Sequence, residues 1–361
     1  QILDKILKAP PIKKDYNYLP SVTVLVVAHN EEKVIKDKLE NLIDIEYPHN
    51  KFSIMVTSDF STDKTNDIVK KFIEEHNDYD IRLHKTMNHG GKTNAQNEAV
   101  RQIKSELVIM TDANCIFKKD AIKQIVACFK DKNIKYVCGA TIYINSSENR
   151  TANSETTYWN IDSRCRDIEG RIQSITAGDG NLYACRTNEY KEMPLIECHD
   201  SSFPVLFSLD GGRAVFDPSA TVYEKAGEND KDEYKRKVRM NRNLFHNILP
   251  SKKILNIFKY KWFTVFWIGH RTCRYLLWFA HIFLLILSGV LASNNIFWIV
   301  SFIGQIIFYL LAIIGIIFKI NNKYIKLIAY YTMTVFSQLH AIYNIATGKV
   351  KPTWSKAEST R

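Results

Sequence analysis

Leu107-Val108-Ile109-Met110-Thr111-Asp112-Ala113-Asn114 is the stretch whose reading decides the fold. Four apolar residues run straight into an acid and an amide spaced two apart. An apolar run without polar alternation is the pattern of a strand buried on both faces. The Asp-x-Asn that follows then falls at the carboxyl edge of a parallel sheet, where open α/β sheets bind ligands. Two hard oxygen donors on one loop suit Mg²⁺ or Mn²⁺ held jointly with a substrate diphosphate. Asp and Asn also favour ordinary turns, so this stretch alone leaves metal loop and plain turn equally open.

The same pattern recurs on the amino-terminal side. Val22 to Ala28, Phe52 to Thr57 and Ile81 to Lys85 read as strands. Between them, Val34, Ile35, Leu39, Leu42 and Ile43 fall on one helical face, as do Ile68, Val69, Phe72 and Ile73. Thr93 to Ile103 reads as a third helix. Strands alternating with helices at this spacing mean βαβ units and a parallel sheet. Each strand runs into a polar turn. After the first comes His29-Asn30-Glu31-Glu32, where Asn30 is placed to N-cap a helix. After the second comes Ser58-Asp59-Phe60-Ser61-Thr62-Asp63.

Two familiar motifs fail on these turns. The Asp59-x-Ser61-x-Asp63 spacing begins like a calcium loop, which needs Gly at its sixth place and Glu at its twelfth; Lys64 and Lys70 stand there. Gly91-Lys92-Thr93 looks like the end of a P-loop, but Thr86 occupies the place of the earlier Gly. What remains is a Gly-Gly turn whose N–H groups, with Lys92, either face a phosphate or simply start a helix.

Beyond Asn114, an amphipathic helix runs through Ala121, Ile122, Ile125, Val126 and Phe129, and Tyr136 to Ile144 reads as a strand. Thr157 to Arg171 reads as a polar helix, Ala177 to Asn181 as a tight turn, and Leu182 to Cys185 as a strand. Glu197-Cys198-His199-Asp200 puts an acid at a helix start, and Arg213 to Phe216 is a short strand. Lys235, Arg236, Arg239 and Arg242 recur at three- and four-residue steps on one helical face. The row is either a solvated basic face or a clamp on a leaving diphosphate.

Composition narrows the class. The chain has 361 residues and a formal charge of +11, and Lys and Arg crowd the stretch from Lys225 to Lys261. Such charge beside apolar segments points to an anionic lipid surface or a phosphorylated substrate. No nucleic-acid-binding signature accompanies it, so nucleic acid is not expected as a partner. Seven cysteines form no C-x-x-C pair and read as reduced thiols. Asn145 and Asn149 head sequons that a cytosolic loop would leave unmodified. The chain starts at Gln1 without a signal-peptide core, and a preceding segment is expected.

Seven pieces now stand in order: His29-Asn30-Glu31, Ser58-Asp59 with Ser61 and Asp63, Gly90-Gly91-Lys92 through Asn97, Asp112-x-Asn114, Gly178-Asp179-Gly180, His199-Asp200, and Arg239-x-x-Arg242. Together they resemble inverting glycosyltransferases of family 2, whose nucleotide-sugar fold is called GT-A. The nearest likeness is to membrane-bound polysaccharide synthases such as hyaluronan and cellulose synthases. The resemblance implies an α/β fold: a GT-A nucleotide-sugar-binding domain followed by interfacial and transmembrane helices. It implies that Asp59 holds the uridine, with Asn30, Glu31, Lys92 and Asp179 also on the donor. It implies that Asp112 and Asn114 bind Mg²⁺ or Mn²⁺ on the UDP diphosphate, that Asp200 is the general base, and that Arg239 and Arg242 hold the diphosphate. Trp354 matches a gating segment in the tail. Two positions depart from the pattern. Asn114 replaces an Asp. The processive enzymes' Gln-x-x-Arg-Trp becomes Arg239-x-x-Arg242-Asn243, which puts long products in question.

The expected organisation is a linker over 1–20, the GT-A domain over 21–250, an amphipathic interfacial region over 251–275, two transmembrane helices within 276–318, and a basic tail region over 319–361. Leu276 to Ala292 and Ile296 to Phe318 are apolar enough to span. Ile325 to Ala346 carries Gln338, His340 and Asn344, and is expected to lie in the interface or re-enter, keeping the tail cytosolic. The expected function is transfer of a sugar from a UDP-sugar to a growing cell-surface polysaccharide at the cell membrane, with export or accessory subunits as partners. Two rivals are single-sugar transfer to a lipid phosphate or lipid-linked acceptor, and an inactive nucleotide-binding scaffold.

Overall fold

The computed structural model describes residues 6–145, 150–226, 230–320 and 322–353. Its strands are β1 (Val22–Ala28), β2 (Phe52–Ser58), β3 (Ile81–Lys85), β4 (Leu107–Asp112), β5 (Ile116–Phe117), β6 (Ile134–Tyr143), β7 (Tyr183–Arg186) and β8 (Arg213–Glu224). They form one sheet in the order β3-β2-β1-β4-β7-β6-β8-β5. The first four are mutually parallel, as the alternation of strands and helices implied. Every residue of β1 is buried. Val24 and Val26 point to the face covered by Ile35, Leu39 and Phe72, while Leu25 points to the face holding Met110, Tyr136 and Phe203.

The second half is mixed. β7 runs antiparallel to both β4 and β6, and β8 is parallel to β6. β8 also runs past Phe216, where the sequence reading stopped. Its register on β6 jumps from Cys138↔Phe216 to Ala140↔Thr221. The extra residues, Pro218 among them, bulge over Gly139, where a Cβ would meet the Ala220 carbonyl at 2.5 Å. A proline in a bulge breaks the period-two pattern that marks a strand. β5, of two residues, is too short to leave a periodic signal. The helix read from Thr93 to Ile103 spans Lys92–Val100, and the one read from Thr157 to Arg171 spans Arg150–Ile172.

One local reading needs correction. Asn30 does not cap the following helix, which begins at Ile35 with Val34 before it and no side-chain cap. It adopts φ 56° instead, and its Oδ1 accepts from the Thr62 and Asp63 N–H groups across the turn after β2. The segment read as a linker is packed against the domain. Lys14 pairs with the buried Asp217 at 2.7 Å, and Tyr47 donates to the Pro20 carbonyl.

In the carboxyl-terminal third, helix Ile296–Ile317 is long and apolar enough to cross a bilayer. Helix Leu277–Leu291 has 15 residues, about 22 Å at 1.5 Å per residue. It meets that test only together with Trp262–Tyr275, from which it is bent by 62°. Helix Lys323–Ala346 packs Ala329 and Ile325 against Gly315. Several of its polar residues find partners. Gln338 donates to the Arg274 carbonyl, and Asn241 donates to Ser337.

A buried charge cluster fastens this third to the sheet domain. Asp162 receives Arg166 at 2.5 Å and Arg274 at 3.0 Å. His270 bridges Asp162 (3.1 Å) and Glu169 (2.7 Å). Burial alone would lower the imidazole pKa, but the two carboxylates outweigh it and raise it to about 9. A folded-state pKa raised above the unfolded one gives stability that is complete below about pH 6.5 and lost as pH rises through about 9. His270→Gln should therefore flatten the alkaline fall in unfolding temperature of the detergent-purified protein. An unaltered pH profile in that variant would remove His270 from this role.

Candidate active site

Three parallel strands end at one edge and deliver His29-Asn30 from β1, Ser58-Asp59 from β2 and Asp112 from β4. Opposite them sit the Gly178–Asn181 turn and the first turn of helix His199–Leu209, which carries Asp200. Gly178 is obligatory here, because a Cβ would lie 1.8 Å from the Tyr136 hydroxyl. Its N–H donates to the Asp200 carbonyl at 2.8 Å, locking turn and helix together.

Lys92 stands between these groups. Its ammonium is paired with Asp112 and donates to the Gly180 carbonyl at 3.3 Å. Burial works against this charge, but Asp112 and Asp200 outweigh it and hold its pKa above the ordinary lysine range. The Gly-Gly turn before it does not offer free N–H groups to a phosphate. Gly90 and Gly91 both donate to the Asp59 carboxylate at 3.0 Å. Gly91 takes φ +89°, which favours glycine. Asp59 is fully buried, with His89 Nδ1 2.7 Å from its Oδ2. Glu31 is buried, and its N–H donates to Thr65. Asn30 and Glu31 thus shape the turn beside Asp59.

Asp200 is pushed above its ordinary value first by burial, then by Asp179 and Asp112, with Lys92 opposing. A carboxylate raised in this way is suited to take a proton near neutral pH. Asp179 accepts from Thr141 at 3.0 Å and lies 4.0 Å from Arg166. His199 is held among hydrogen-bonding neighbours. It is buried, its Nε2 contacts Tyr190 and Asn97, and burial together with Lys92 lowers its pKa to about 3, so it is neutral.

Two residues of the loop's surroundings escaped the sequence reading. Glu224, at the end of β8, accepts from Asn114 Nδ2 at 2.9 Å and from Asn181 Nδ2 at 2.6 Å. Lys38 is fully buried behind the loop. It donates to the Cys115 carbonyl at 2.6 Å and to Thr111 at 3.1 Å, 3.7 Å from the Phe117 ring centre. Burial lowers its pKa to about 7. Its signal was a lysine on the stripe of Ile35, Leu39 and Leu42. Glu224 left none, because the β8 bulge hid the strand that ends there.

Asp112, Asn114 and Glu224 offer oxygen donors of the kind a hard divalent cation takes; Asn114 Nδ2 donates to Glu224, and the Cys115 thiol lies 3.9 Å from its Oδ1. His29, Asp59 and His89 also bring ligand atoms within 4.8 Å of one another. The two rings are stacked 4.1 Å apart at 18°. An imidazole lone pair lies in its own ring plane, and two near-parallel planes do not converge on one ion about 2 Å from each nitrogen. In this geometry the pair forms a flat shelf beside Asp59.

Lys235, Arg236, Arg239 and Arg242 line one cavity of about 380 Å³, Arg242 standing past the end of helix Asp230–Met240. Arg242 donates to the Pro352 carbonyl at 2.9 Å and contacts Cys198 at 3.2 Å. Pro352 also closes on Gly91. The chain up to Thr353 therefore reaches the site; Trp354 lies outside the described residues. All seven cysteines are free.

Residues 23–186 match the family Glycosyl transferase family 2. A probable glycosyltransferase, YdaM, of Bacillus subtilis is 26% identical over 299 residues, 80% of this chain and 68% of that protein. A poly-beta-1,6-N-acetyl-D-glucosamine synthase of Staphylococcus epidermidis is 29% identical over 124 residues, 34% of this chain; the chain spans 29% of that synthase's length. A mannosyltransferase from Pyrobaculum calidifontis, solved with GDP-Man and Mn²⁺, superposes with a TM-score of 0.73 at 21% identity, covering 97% of this chain and 94% of that one. The sheet and these matches support a family 2 glycosyltransferase domain with the GT-A fold.

Asp200→Asn is expected to fold and bind nucleotide normally while losing roughly 10²–10⁴-fold in turnover. The acid limb of the wild-type kcat/KM profile should lie above the ordinary carboxylate value, since burial raises Asp200. Near-normal turnover in the variant would move the base to another residue.

Proposed function

We propose that this family 2 glycosyltransferase transfers a sugar, with inversion, from a UDP-sugar to a growing cell-surface polysaccharide. The observation that carries the reading is the meeting of Lys92, Asp112, Asp179 and Asp200 at the carboxyl edge of the sheet. Inverting transfer needs one base for the acceptor hydroxyl and positive charge for the departing diphosphate. Asp200 takes the acceptor proton. The acceptor oxygen bonds to the anomeric carbon as the bond to the UDP oxygen breaks. Lys92, Arg239 and Arg242 supply charge to the leaving group. Asp112 and Asn114, with Glu224, would hold Mg²⁺ or Mn²⁺, which supplies further charge neutralisation when bound. Asp59 and the His29–His89 shelf form the nucleobase end.

The polysaccharide assignment draws on the Staphylococcus epidermidis synthase, whose name states that product. We place the enzyme in the cell membrane with its catalytic domain cytosolic, where UDP-sugars are available. The apolar helix Ile296–Ile317 supports that placement. So does the return of Lys349–Thr353 to the catalytic side through Arg242 and Pro352. A single-sugar transfer to a lipid-linked acceptor is the second reading, favoured by Asn243 where processive enzymes carry Trp. A scaffold without activity is disfavoured by the retention of both Asp112 and Asp200.

Purified membranes offered a panel of UDP-sugars should release UDP from one of them, in a reaction that EDTA stops and added Mn²⁺ or Mg²⁺ restores. Asp112→Ala should abolish release while the protein still inserts. Full activity in EDTA would end the metal role. A product of one sugar on a lipid, sized on a gel, would favour the second reading.

A further inference from the structure

The loop that carries Asp112 and Asn114 has two sides. Thr111, Ala113 and Cys115 turn inward and are buried, while Asp112 and Asn114 stand partly exposed at the site. Lys38 reaches the inward side from helix Ile35–Ile43. Its amino group donates to the Thr111 hydroxyl at 3.1 Å and to the Cys115 carbonyl at 2.6 Å. These two residues bracket Asp112-Ala113-Asn114, so one side chain holds the loop at both ends. The Cys115 N–H closes the turn on the Asp112 carbonyl at 3.4 Å.

Packing does not ask for a lysine here. The other buried residues of the helix are Ile35, Leu39 and Leu42, and a methionine of similar length would continue that stripe. Burying a lysine is costly unless its N–H groups are paired. An ammonium has three donors. Two go to the loop, and the centre of the Phe117 ring lies 3.7 Å from the nitrogen. Both hydrogen-bonded partners are neutral oxygens, so these contacts fix a position and are no ion pair. Apolar contact alone would join helix to sheet. What the lysine adds is a set distance between Thr111 and Cys115.

Holding both ends of the loop limits how far the Asp112 and Asn114 side chains can spread. Mg²⁺ needs oxygens at about 2.0–2.1 Å in near-octahedral geometry, whereas Ca²⁺ accepts about 2.3–2.6 Å and irregular shapes, so loop stiffness bears on which ion is taken. Given the proposed role of Asp112 and Asn114 as cation donors, we propose that Lys38 is a positioning residue that clasps this loop from behind and makes the site selective for a small divalent cation over Ca²⁺. The clasp uses no side-chain oxygen of Asp112 or Asn114. Glu224, which receives Asn114 Nδ2 at 2.9 Å, steadies the outward side, and Lys38 steadies the inward one.

The full chain, purified in neutral detergent and supplied with UDP, would be titrated with Mn²⁺ as the small cation. Free Mn²⁺ is read by electron paramagnetic resonance, and Ca²⁺ is then added in competition. The parent should prefer Mn²⁺. Lys38→Met should weaken Mn²⁺ by about tenfold, the size of effect expected for lost hydrogen bonds, and Ca²⁺ by less than about threefold. A cooperative thermal unfolding transition certifies the variant as folded. Should Lys38→Met lack one, Thr111→Val, which loses one of the two contacts, should lower the same Mn²⁺-to-Ca²⁺ preference by about threefold. An unchanged preference in the folded variant overturns the proposal. Equal weakening of both cations overturns it too, because a clasp serving the fold alone would give that result. A parent that binds no Mn²⁺ beside UDP would overturn the cation reading of Asp112 and Asn114 itself, and this proposal with it.

Discussion

The site depends on one lysine ammonium. Asp112, Asp179 and Asp200 come from a strand end, a turn and a helix start, and like charges brought this close repel. Lys92 sits among them, bound to Asp112 and the Gly180 carbonyl and facing Asp200. Its placement follows from the turn before it. Asp59 draws the Gly90 and Gly91 N–H groups inward, Gly91 accepts a left-handed φ, and helix Lys92–Val100 then begins with its first side chain over the carboxylates. The acid at the end of β2 therefore positions the Lys92 ammonium that follows β3. The two halves of the site are coupled through backbone hydrogen bonds as well as through charge.

The parallel half of the fold was legible because its chemistry repeats. β1, β2 and β4 are continuous apolar runs, each followed by polar residues, and burial on both faces leaves no other pattern. The antiparallel half was less legible. β7 has four residues and β5 two, while β8 is interrupted by the Pro218 bulge. The residues that follow these strands were correspondingly obscured. Asp112, Lys92, Asp179 and Asp200, which the family resemblance singled out, lie together at the sheet edge, but Glu224 stands past the bulge and gave no local sign. Lys38 was visible in principle, as a charge on an apolar stripe. Its meaning depends on β4 and the Cys115 carbonyl being stacked behind it, which is a tertiary fact.

The carboxyl-terminal helices follow a different logic from a free hairpin. Some of their polar residues are spent on contacts with the segments before them: Gln338 on Arg274, and, in the sheet domain, Ser337 on Asn241 and Tyr330 on Glu233. The His270, Asp162 and Glu169 cluster anchors the preceding segment, and Arg166 in that cluster approaches Asp179. Burying so many charges is tolerable only because each has several partners. A consequence is that the apolar helices and the turn holding Asp179 share one network.

Asn114 gains a physical reason from its surroundings. An Asp at this place would bring a second carboxylate against Glu224, 2.9 Å from the present Asn114 amide. With Asn, the amide nitrogen binds Glu224, and the Cys115 thiol lies 3.9 Å from the carbonyl oxygen. The negative charge missing from the loop is restored by Glu224, which Asn181 holds from the other side. Beneath the same loop, Lys38 places an ammonium on the Cys115 carbonyl and Thr111, so the loop is fixed from behind without using an oxygen of Asp112 or Asn114. An amide at position 114 therefore avoids setting two carboxylates against each other. It moves the charge from the loop to the end of β8, where the two asparagines orient it.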